Sequence, residues 1–308
     1  MRISGSILTL IISSFLIFSM VRMIPGDPTT ALLGRAFDPE IAKLMRERLG
    51  LNGNFFVQYF QWVRALLSGD LGYSLINGAQ INEQIFERFV RTLHLMIGGV
   101  FVGLAIALPL GAISARRRGH LDGSILVGIN GLLISVPQFI SGLLFVYVFA
   151  VVLKWLPAGG WVDPSKDLGL WLRAMVLPCV TLGVALSGFT ARILRSSIVE
   201  ASSSDYVVAA RSWGLTGRQI QRFHIYRNAA LPTLTTIGLE IGYLFGGAVV
   251  VEEIFGYPGI GQLIVDSISG RDYPMVQATV LLFALGFTFI NLIVDISLFT
   301  IDPRLRKQ

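Results

Sequence analysis

The sequence predicts an all-α polytopic membrane protein with six transmembrane helices. Hydrophobic residues make up 53% of its 308 residues and charged residues only 14%, whereas soluble domains carry about 25% charged residues. Six apolar segments are long enough to form helices that cross a hydrocarbon core about 30 Å thick. They are Ile3–Val21, Leu93–Ala115, Ile125–Leu153, Ala174–Ala191, Ala229–Val251 and Met275–Ile301.

The first span has two interpretations, a membrane helix or a cleaved signal peptide. A signal peptide would need a small-residue cleavage site, and only Thr29-Thr30-Ala31 follows, after two prolines. An uncleaved helix over residues 1–24 is therefore favoured. Pro137 interrupts the third span and Pro178 lies in the short fourth one, where each can bend or break a helix.

Basic residues predict the orientation of the spans. The short loops and termini on one side hold thirteen of them, and the opposite short loops hold four. Because cytoplasmic loops carry the excess of Lys and Arg, both termini are predicted to be cytoplasmic (N-in, C-in). The net charge of +6 is explained by this asymmetry, so nucleic acid is not a predicted partner. The cytoplasmic set is Arg2, Arg116 to Arg118, the six arginines from Arg192 to Arg227, Arg304, Arg306 and Lys307; the opposite set is Lys154, Lys166, Arg173 and Arg271.

Residues 25–92 are predicted to form an extracytoplasmic segment with two short helices. Asp38 is a suitable N-cap for a helix over Glu40–Leu49, and Gly50 can end it. Apolar residues recur at helical spacing over Phe55–Leu67. Two interpretations stay open: a lid packed on the membrane domain, or a docking surface for an extracytoplasmic partner.

Three kinds of residue in and beside the spans suggest how the helices pack. Small residues recur at intervals of about four and allow close approach of helix backbones, and three tryptophans on the outer side are predicted to anchor the chain at the membrane interface. Glu240 at membrane depth has two interpretations, a polar lining of the solute path or a glutamate satisfied by neighbouring helices. The small residues are Gly99, Gly103, Ala107, Gly111, Gly183, Ser187, Ala191, Gly238, Gly242 and Gly246; the tryptophans are Trp155, Trp161 and Trp171.

The cytoplasmic loop at 192–228, within a five-helix domain at 93–308, carries helix signals of its own. Ser197–Glu200 and Thr216–Gln219 each match a capping box, in which the first side chain and the fourth bind each other's backbone N–H groups. Gly214 lies between them and can adopt a positive φ without steric cost. The sequence therefore predicts a helix, a glycine turn and a second helix. An amphipathic surface helix is the alternative, and a protein-docking element is favoured.

Motifs in this loop and along nearly the whole chain are distinctive in combination. In the loop they are Glu200-Ala201, Asp205-Tyr206-Val207, Ala210-Arg211, Gly214-Leu215, His224, Arg227-Asn228-Ala229 and Pro232. Elsewhere they include Pro25-Gly26-Asp27-Pro28, Gly69-Asp70-Leu71-Gly72, Val251-Glu252-Glu253-Ile254-Phe255, Pro258-Gly259-Ile260-Gly261, Arg271-Asp272-Tyr273-Pro274 and Asp302-Pro303-Arg304. The loop resembles the EAA loop of ABC importer permeases, and the full set resembles the B-type subunit of the dipeptide/oligopeptide/nickel branch. The loop departs from that pattern at Ser202, where the family usually has alanine.

In that family the loop forms a coupling helix that binds a cleft on a separate ATPase subunit. The resemblance therefore implies a second permease subunit as heterodimer partner, two ABC ATPase subunits and an extracytoplasmic solute-binding protein, within membrane lipid. It implies ATP and Mg on the ATPase subunits and no cofactor on this chain. It gives an ATPase-coupling role to Glu200, Ala201, Asp205, Tyr206, Ala210, Arg211, Gly214 and Leu215, and a supporting role to His224, Arg227 and Asn228.

Two other classes of protein are weaker interpretations of the same sequence. A secondary transporter predicts inverted repeats and an ion-binding midplane, and the two halves show no matching pattern. A membrane enzyme needs a clustered catalytic or metal site, and the single Cys179 and three separated histidines offer none. The chain has no Gly-Lys pair and hence no phosphate-binding loop, so it is predicted not to hydrolyse ATP.

The solute is not determined by the sequence. The branch handles dipeptides, oligopeptides, glutathione-like peptides, nickel chelates and opines, and its selectivity resides largely in the binding protein. Candidates for the translocation path are Pro137 and Gln138 in the third span and Glu240 in the fifth.

Overall fold

The computed structural model describes residues 2–23, residue 40 and residues 53–301, without the side chains of residues 2–4, 6, 295 and 298–301. The predicted helix over Glu40–Leu49, Glu40 apart, and its cap lie outside the described residues. The helices are α1 Arg2–Met23, α2 Phe55–Leu67, α3 Ile81–Arg116, α4 Leu121–Ser135, α5 Gln138–Val152, α6 Leu168–Ser202, α7 Asp205–Ser212, α8 Gly217–Phe255, α9 Ile260–Ser269 and α10 Tyr273–Ile301.

Four of these helices are long and apolar enough to cross a membrane: α3, α6, α8 and, in α10, the stretch Tyr273–Val294. Helices α4 and α5 would together make a fifth span, but they are bent by 100° at the break before Gln138. In α1 the apolar stretch Ile7–Met23 is shorter. The described residues thus contain four or five spans by length and composition.

The predicted spans differ from the helices in three places. The predicted third span is not one helix, because the chain turns at Val136 and Pro137 and resumes as α5. The predicted fourth span lies inside α6, a candidate span that is longer than predicted and continues through Pro178 for 35 residues in all. Helix α3 begins at Ile81, so it extends across the predicted boundary between residues 92 and 93.

The chain divides into two compact units. One unit contains Met1–Arg91 and Pro258–Phe289, and the other contains Thr92–Tyr257 and Ile290–Gln308. The division passes through α3 and α10, so each of these helices contributes one end to each unit. The predicted coupling loop and the candidate path residues all belong to the second unit.

In the first unit, α2 packs on α1 through aromatic side chains, and the predicted helix Phe55–Leu67 is confirmed. Phe18 of α1 is 1% exposed, and its ring centroid lies 5.4 Å from that of Phe55 and 5.5 Å from those of Tyr59 and Trp62. Such edge-on and tilted pairs contribute beyond the area that they bury. Helix α2 is therefore a packed element of this unit.

A buried carboxylate joins two distant turns of the first unit. Asp272, 2% exposed, immediately precedes α10 and accepts a hydrogen bond from the Ser74 hydroxyl. Its other oxygen accepts from the backbone N–H of Leu75 at 3.1 Å and that of Met275 at 3.4 Å. One side chain thus caps α10 and fixes the turn that follows α2.

We expect Ser74→Ala to destabilise this unit measurably. The substitution removes a buried hydrogen bond to a charged acceptor, which typically contributes about 1.5–3 kcal/mol. Ser68→Ala is the matched control, because the Ser68 hydroxyl is exposed and bonds only the nearby Ala65 carbonyl. Denaturant unfolding in detergent should show a lower free energy of unfolding for Ser74→Ala alone. Equal decreases in both variants would contradict a stabilising role for the Ser74–Asp272 hydrogen bond.

In the second unit, glycines of α3 let its backbone approach α6. A Cβ built on Gly103 would lie 2.7 Å from the Leu186 side chain, and one on Gly183 would lie 2.8 Å from the backbone nitrogen of Gly103. A Cβ on Gly111 would lie 2.8 Å from the Ala191 carbonyl oxygen. The small-residue row in the second predicted span is therefore a helix contact, as expected.

Two of the three predicted interfacial tryptophans make ring contacts within the second unit. The Trp161 ring stacks on His94 at 6.3 Å and meets Tyr257 edge-on at 5.4 Å, and Trp171 meets His94 edge-on at 5.9 Å. Only Trp155, 61% exposed, has the exposure expected of an interfacial anchor. Trp161 and Trp171 are partly exposed, so their anchoring at the membrane interface stays a prediction. The sequence spacing did not show that His94 contacts both rings.

Candidate functional site

The predicted coupling loop is a rigid extension of two long helices. Helix α6 continues to Ser202, α7 follows over Asp205–Ser212, and α8 begins at Gly217. The capping box predicted at Ser197–Glu200 is wrong, because both residues lie inside α6, whose intact hydrogen-bond ladder leaves no helix start to cap. A π-helical stretch, Ile220–Ile225, then leads into the rest of α8.

The turn between α7 and α8 matches the prediction. Gly214 has φ = +80°, a left-handed conformation that residues with a Cβ rarely adopt. Its N–H donates to the Arg211 carbonyl at 2.9 Å, and the N–H of Leu215 donates to the Ala210 carbonyl at 3.2 Å. Thr216 and Gln219 form the reciprocal capping box at the start of α8, so this second capping box is confirmed.

A buried apolar cluster underlies the loop. Val207 and Ala210 on the inner face of α7 are 1% and 2% exposed, and Leu215 packs against the same cluster. The cluster also takes Ala115 from α3, Leu194, Ile198 and Ala201 from α6, and Ile220, Ile225 and Ala229 from α8. Ala201, Ala210 and Leu215 therefore shape the loop mainly from inside.

Other predicted coupling residues lie at the surface, and two of them, Glu200 and Tyr206, line a cavity. Glu200, Asp205 and Arg211 are exposed, and Tyr206 is 38% exposed. A cavity of about 530 Å³ opens between the end of α6, the start of α7 and the stretch of α8 from Asn228 to Thr235. It is lined by Ser197, Glu200, Ala201, Ser204, Tyr206, Asn228, Leu231, Pro232 and Thr235.

The residues predicted to support the loop lie two to three turns into α8, around the end of its π-helical stretch. The Asn228 side chain donates to the His224 carbonyl at 2.9 Å, and Arg227 is exposed. An additional support is Arg116 at the end of α3, whose Nε donates to the Tyr226 hydroxyl at 2.6 Å. The sequence suggested only a topology signal for Arg116, because this contact joins residues 110 positions apart.

The candidate path residues are only partly brought together. Gln138 begins α5 directly after Pro137, and its Oε1 lies 2.7 Å from where a Cβ on Gly247 of α8 would stand. Glu240 is half-buried two turns earlier on α8, and two turns of helix correspond to a rise of about 11 Å. Gln138 and Glu240 thus border the same face of α8 at different depths.

One buried acid was not singled out from the sequence. Glu252 is 0% exposed and accepts a hydrogen bond at 2.6 Å from the Thr92 hydroxyl, which is also fully buried. In the sequence, Glu252 was noted only as part of a family motif. Its position after a run of valines did not predict that its side chain is buried. Within the described ranges, no group of three or more His, Cys, Asp or Glu side chains could hold a metal ion.

Comparison with known proteins identifies relatives over the whole chain. Residues 107–307 match the family model "binding-protein-dependent transport system inner membrane component", and residues 1–96 match that of its N-terminal part. The chain is 38% identical to the glutathione transport system permease protein GsiC of Escherichia coli O6:H1, covering 100% of this chain and 98% of the relative. It is 37% identical to GsiC of Salmonella typhi with the same coverage, 100% and 98%.

Solved structures share the fold at low sequence identity. A chain of the MetNI methionine ABC transporter in an inward-facing conformation aligns with a TM-score of 0.58 and 18% identity, over 71% of this chain and 96% of that chain. A chain of an amino acid ABC transporter crystallised with histidines aligns with a TM-score of 0.53 and 17% identity, over 72% and 94%. These two similarities concern the arrangement of helices alone.

Proposed function

This chain belongs to the binding-protein-dependent transport system inner membrane components, the permeases of ABC importers, and we propose that it couples ATP hydrolysis elsewhere to solute import through the loop at 192–228. As a family member it is a multi-pass, pore-forming permease subunit of the inner membrane. The observation that carries the coupling role is the construction of the loop. Helix α7, whose inner face packs into the buried cluster, is held between α6 and α8, two candidate spans. A capping box fixes the start of α8.

The loop can transmit movement because its helix is packed against both neighbouring helices. Displacement of α7 is passed to α6 through the buried cluster and to α8 through the fixed turn at Gly214. Alternating access requires such an element, which a partner can shift between two states. The ATPase-coupling set divides into surface residues Glu200, Asp205, Tyr206 and Arg211 and shape-giving residues Ala201, Ala210, Gly214 and Leu215, supported by His224, Arg227 and Asn228.

The topology we propose has six spans with both termini in the cytoplasm. Helix α1 would be the first span and the bent pair α4–α5 the third, which adds to the four long helices. The excess of basic residues on the side of the coupling loop supports this orientation. Residues 25–92 then form an extracytoplasmic segment before the five-helix domain at 93–308, as in a B-type permease.

The assembly we propose has five components of four kinds: this chain, a homologous second permease, two ABC ATPase subunits and an extracytoplasmic solute-binding protein. Membership of the family supports these classes of partner. ATP and Mg would be bound by the ATPase subunits, and this chain would be non-catalytic. The sequence lacks a phosphate-binding loop, which is why the energy must come from a partner.

The solute we propose is a small peptide of the glutathione or dipeptide class. The relatives at 37% and 38% identity are glutathione permeases, and the similarity extends over the whole chain. Pro137, Gln138 and Glu240 are proposed to border the path. Gln138 packs against Gly247 of α8, and Glu240 lies two turns earlier on the same helix.

The test is purification of the tagged chain from its native membrane. We expect an ATPase and a second permease to co-purify, and we expect ATP-dependent uptake of radiolabelled glutathione or dipeptide into proteoliposomes. An ion-coupled secondary transporter would transport when purified alone and would respond to an ion gradient. That result, without any ATPase recovered, would refute the proposal.

A further inference from the structure

The coupling loop presents a large apolar side chain that the family motif does not assign. Trp213 is 81% exposed, although it lies in a loop rich in charge. Val208 and Phe223 in the same loop are 61% and 60% exposed. Single exposed apolar residues are ordinary on protein surfaces. Tryptophan, however, is enriched in protein–protein interfaces and among the residues that contribute most to binding.

The position of Trp213 is fixed by the backbone around it. It ends α7, and its N–H donates to the Ala209 carbonyl at 3.1 Å. Val207 and Ala210 bury the inner face of α7, and Gly214 fixes the next turn. The indole is therefore exposed by a rigid support, which lowers the entropy cost of binding it.

The distance from the apolar part of the span argues against membrane anchoring. The first arginine after the fourth span is Arg192, and α6 continues to Ser202 before the chain turns into α7. Ten residues of helix rise about 15 Å, whereas the headgroup layer on each side of a bilayer is about 5–8 Å thick. The end of α6, from which the chain turns into α7 and Trp213, is thus expected to lie beyond the headgroups.

The charge of the loop indicates the chemistry of the surface that would receive the indole. Between residues 205 and 227 there are four arginines and one carboxylate, that of Asp205. A partner with complementary potential presents acidic residues around an apolar pocket. In this family the partner on that side is the ATPase subunit, which is the partner that we assign to the loop.

We infer that Trp213 is the apolar anchor by which this permease binds its ATPase subunit, in a pocket with an acidic rim. The inference rests on the proposed coupling function of the loop and names the side chain that carries the affinity. Ala201, Ala210 and Leu215 give the loop its shape, and Trp213 makes the contact.

The experiment measures binding of the ATPase that co-purifies with the wild-type chain to permease heterodimers in lipid nanodiscs. Trp213→Ala should weaken binding at least about 30-fold, as for a central anchor residue, and Trp213→Phe should retain most of the affinity. Leu121→Ala is the matched control, because Leu121 is 86% exposed on the predicted cytoplasmic side but outside the loop. It should bind the ATPase as tightly as the wild-type chain.

Gly214→Pro separates failure of this inference from failure of the coupling function. If Gly214→Pro weakens ATPase binding and Trp213→Ala does not, the loop binds the ATPase as proposed, but Trp213 is not the anchor. If neither variant weakens it, both proposals are refuted. Quenching of tryptophan fluorescence by brominated lipid tails is then compared between wild type and Trp213→Phe, so that the difference reports Trp213. We expect no quenching of Trp213. Strong quenching would make it a membrane anchor and overturn the inference.

Discussion

Replacing Gly214 with proline should abolish ATP-dependent uptake while the chain still inserts into the membrane. Proline fixes φ near −65° and has no N–H, whereas Gly214 has φ = +80° and donates to Arg211. A penalty of about 3 kcal/mol lowers the population of the native turn by more than about 100-fold. The loop then loses the geometry that connects α7 to α8.

Gly217→Pro is the control for this experiment. Gly217 is the first residue of α8 and directly follows the N-cap Thr216, a position that proline favours. Thr216 has ψ = 152°, which suits a residue before proline. Uptake into proteoliposomes should stay near wild type for Gly217→Pro, and equal loss in both variants would show that the loop tolerates no proline anywhere.

Replacing Gly183 with alanine should destabilise the membrane domain. Its new Cβ would lie 2.8 Å from the backbone nitrogen of Gly103 and 2.8 Å from the Val102 side chain, so the two helices must separate. Overpacking of this kind costs about 1–3 kcal/mol. We expect a lower yield of folded protein and a lower midpoint of thermal unfolding in detergent.

Gly128→Ala is the matched control for Gly183→Ala. In the part of the chain that the structure describes, no heavy atom outside its own stretch of helix and its chain neighbours lies within 4 Å of where a Cβ on Gly128 would stand. Alanine also favours helix more than glycine does, by about 1 kcal/mol. The control should be neutral or stabilising, and a similar loss in both variants would contradict close packing of α3 on α6.

Local signals were the part of the site that the sequence could predict. Thr216–Gln219 and Gly214 act through their own neighbours, so their pattern is sufficient to show a helix start and a left-handed turn. Ser197–Glu200 has the same pattern, but α6 packs through Ile198 and Ala201 into the buried cluster and continues as a helix. Tertiary packing decided between two equal local signals.

Long-range contacts account for most of what the sequence did not show. Asp272 reaches Ser74 across 198 positions, and Glu252 reaches Thr92 across 160. Neither pair has a spacing that marks it. Pro178 can bend or break a helix, yet it lies inside α6 without ending it, because burial of the surrounding helix outweighs one missing hydrogen bond.

Only the structure shows which residues of the coupling motif are buried and shape the loop, and which are exposed and can contact a partner. Ala201 and Ala210 are small residues in a family motif, and a small residue suits both a core and a docking face. Only their burial, 7% and 2% exposed, assigns them to the core. Trp213 lies outside the motif, so its exposure could not be inferred from resemblance.

Cross-linking from the coupling loop tests the central claim most directly. Cys179 is the single cysteine, so Cys179→Ala provides a background into which Ser212→Cys, exposed beside Trp213, or the control Leu121→Cys is introduced. The account predicts that a short thiol-to-amine cross-linker joins Ser212→Cys to the ATPase subunit in the purified complex and leaves Leu121→Cys unlinked. An ATPase that co-purifies but never cross-links to Ser212→Cys, while it does to Leu121→Cys, would contradict it.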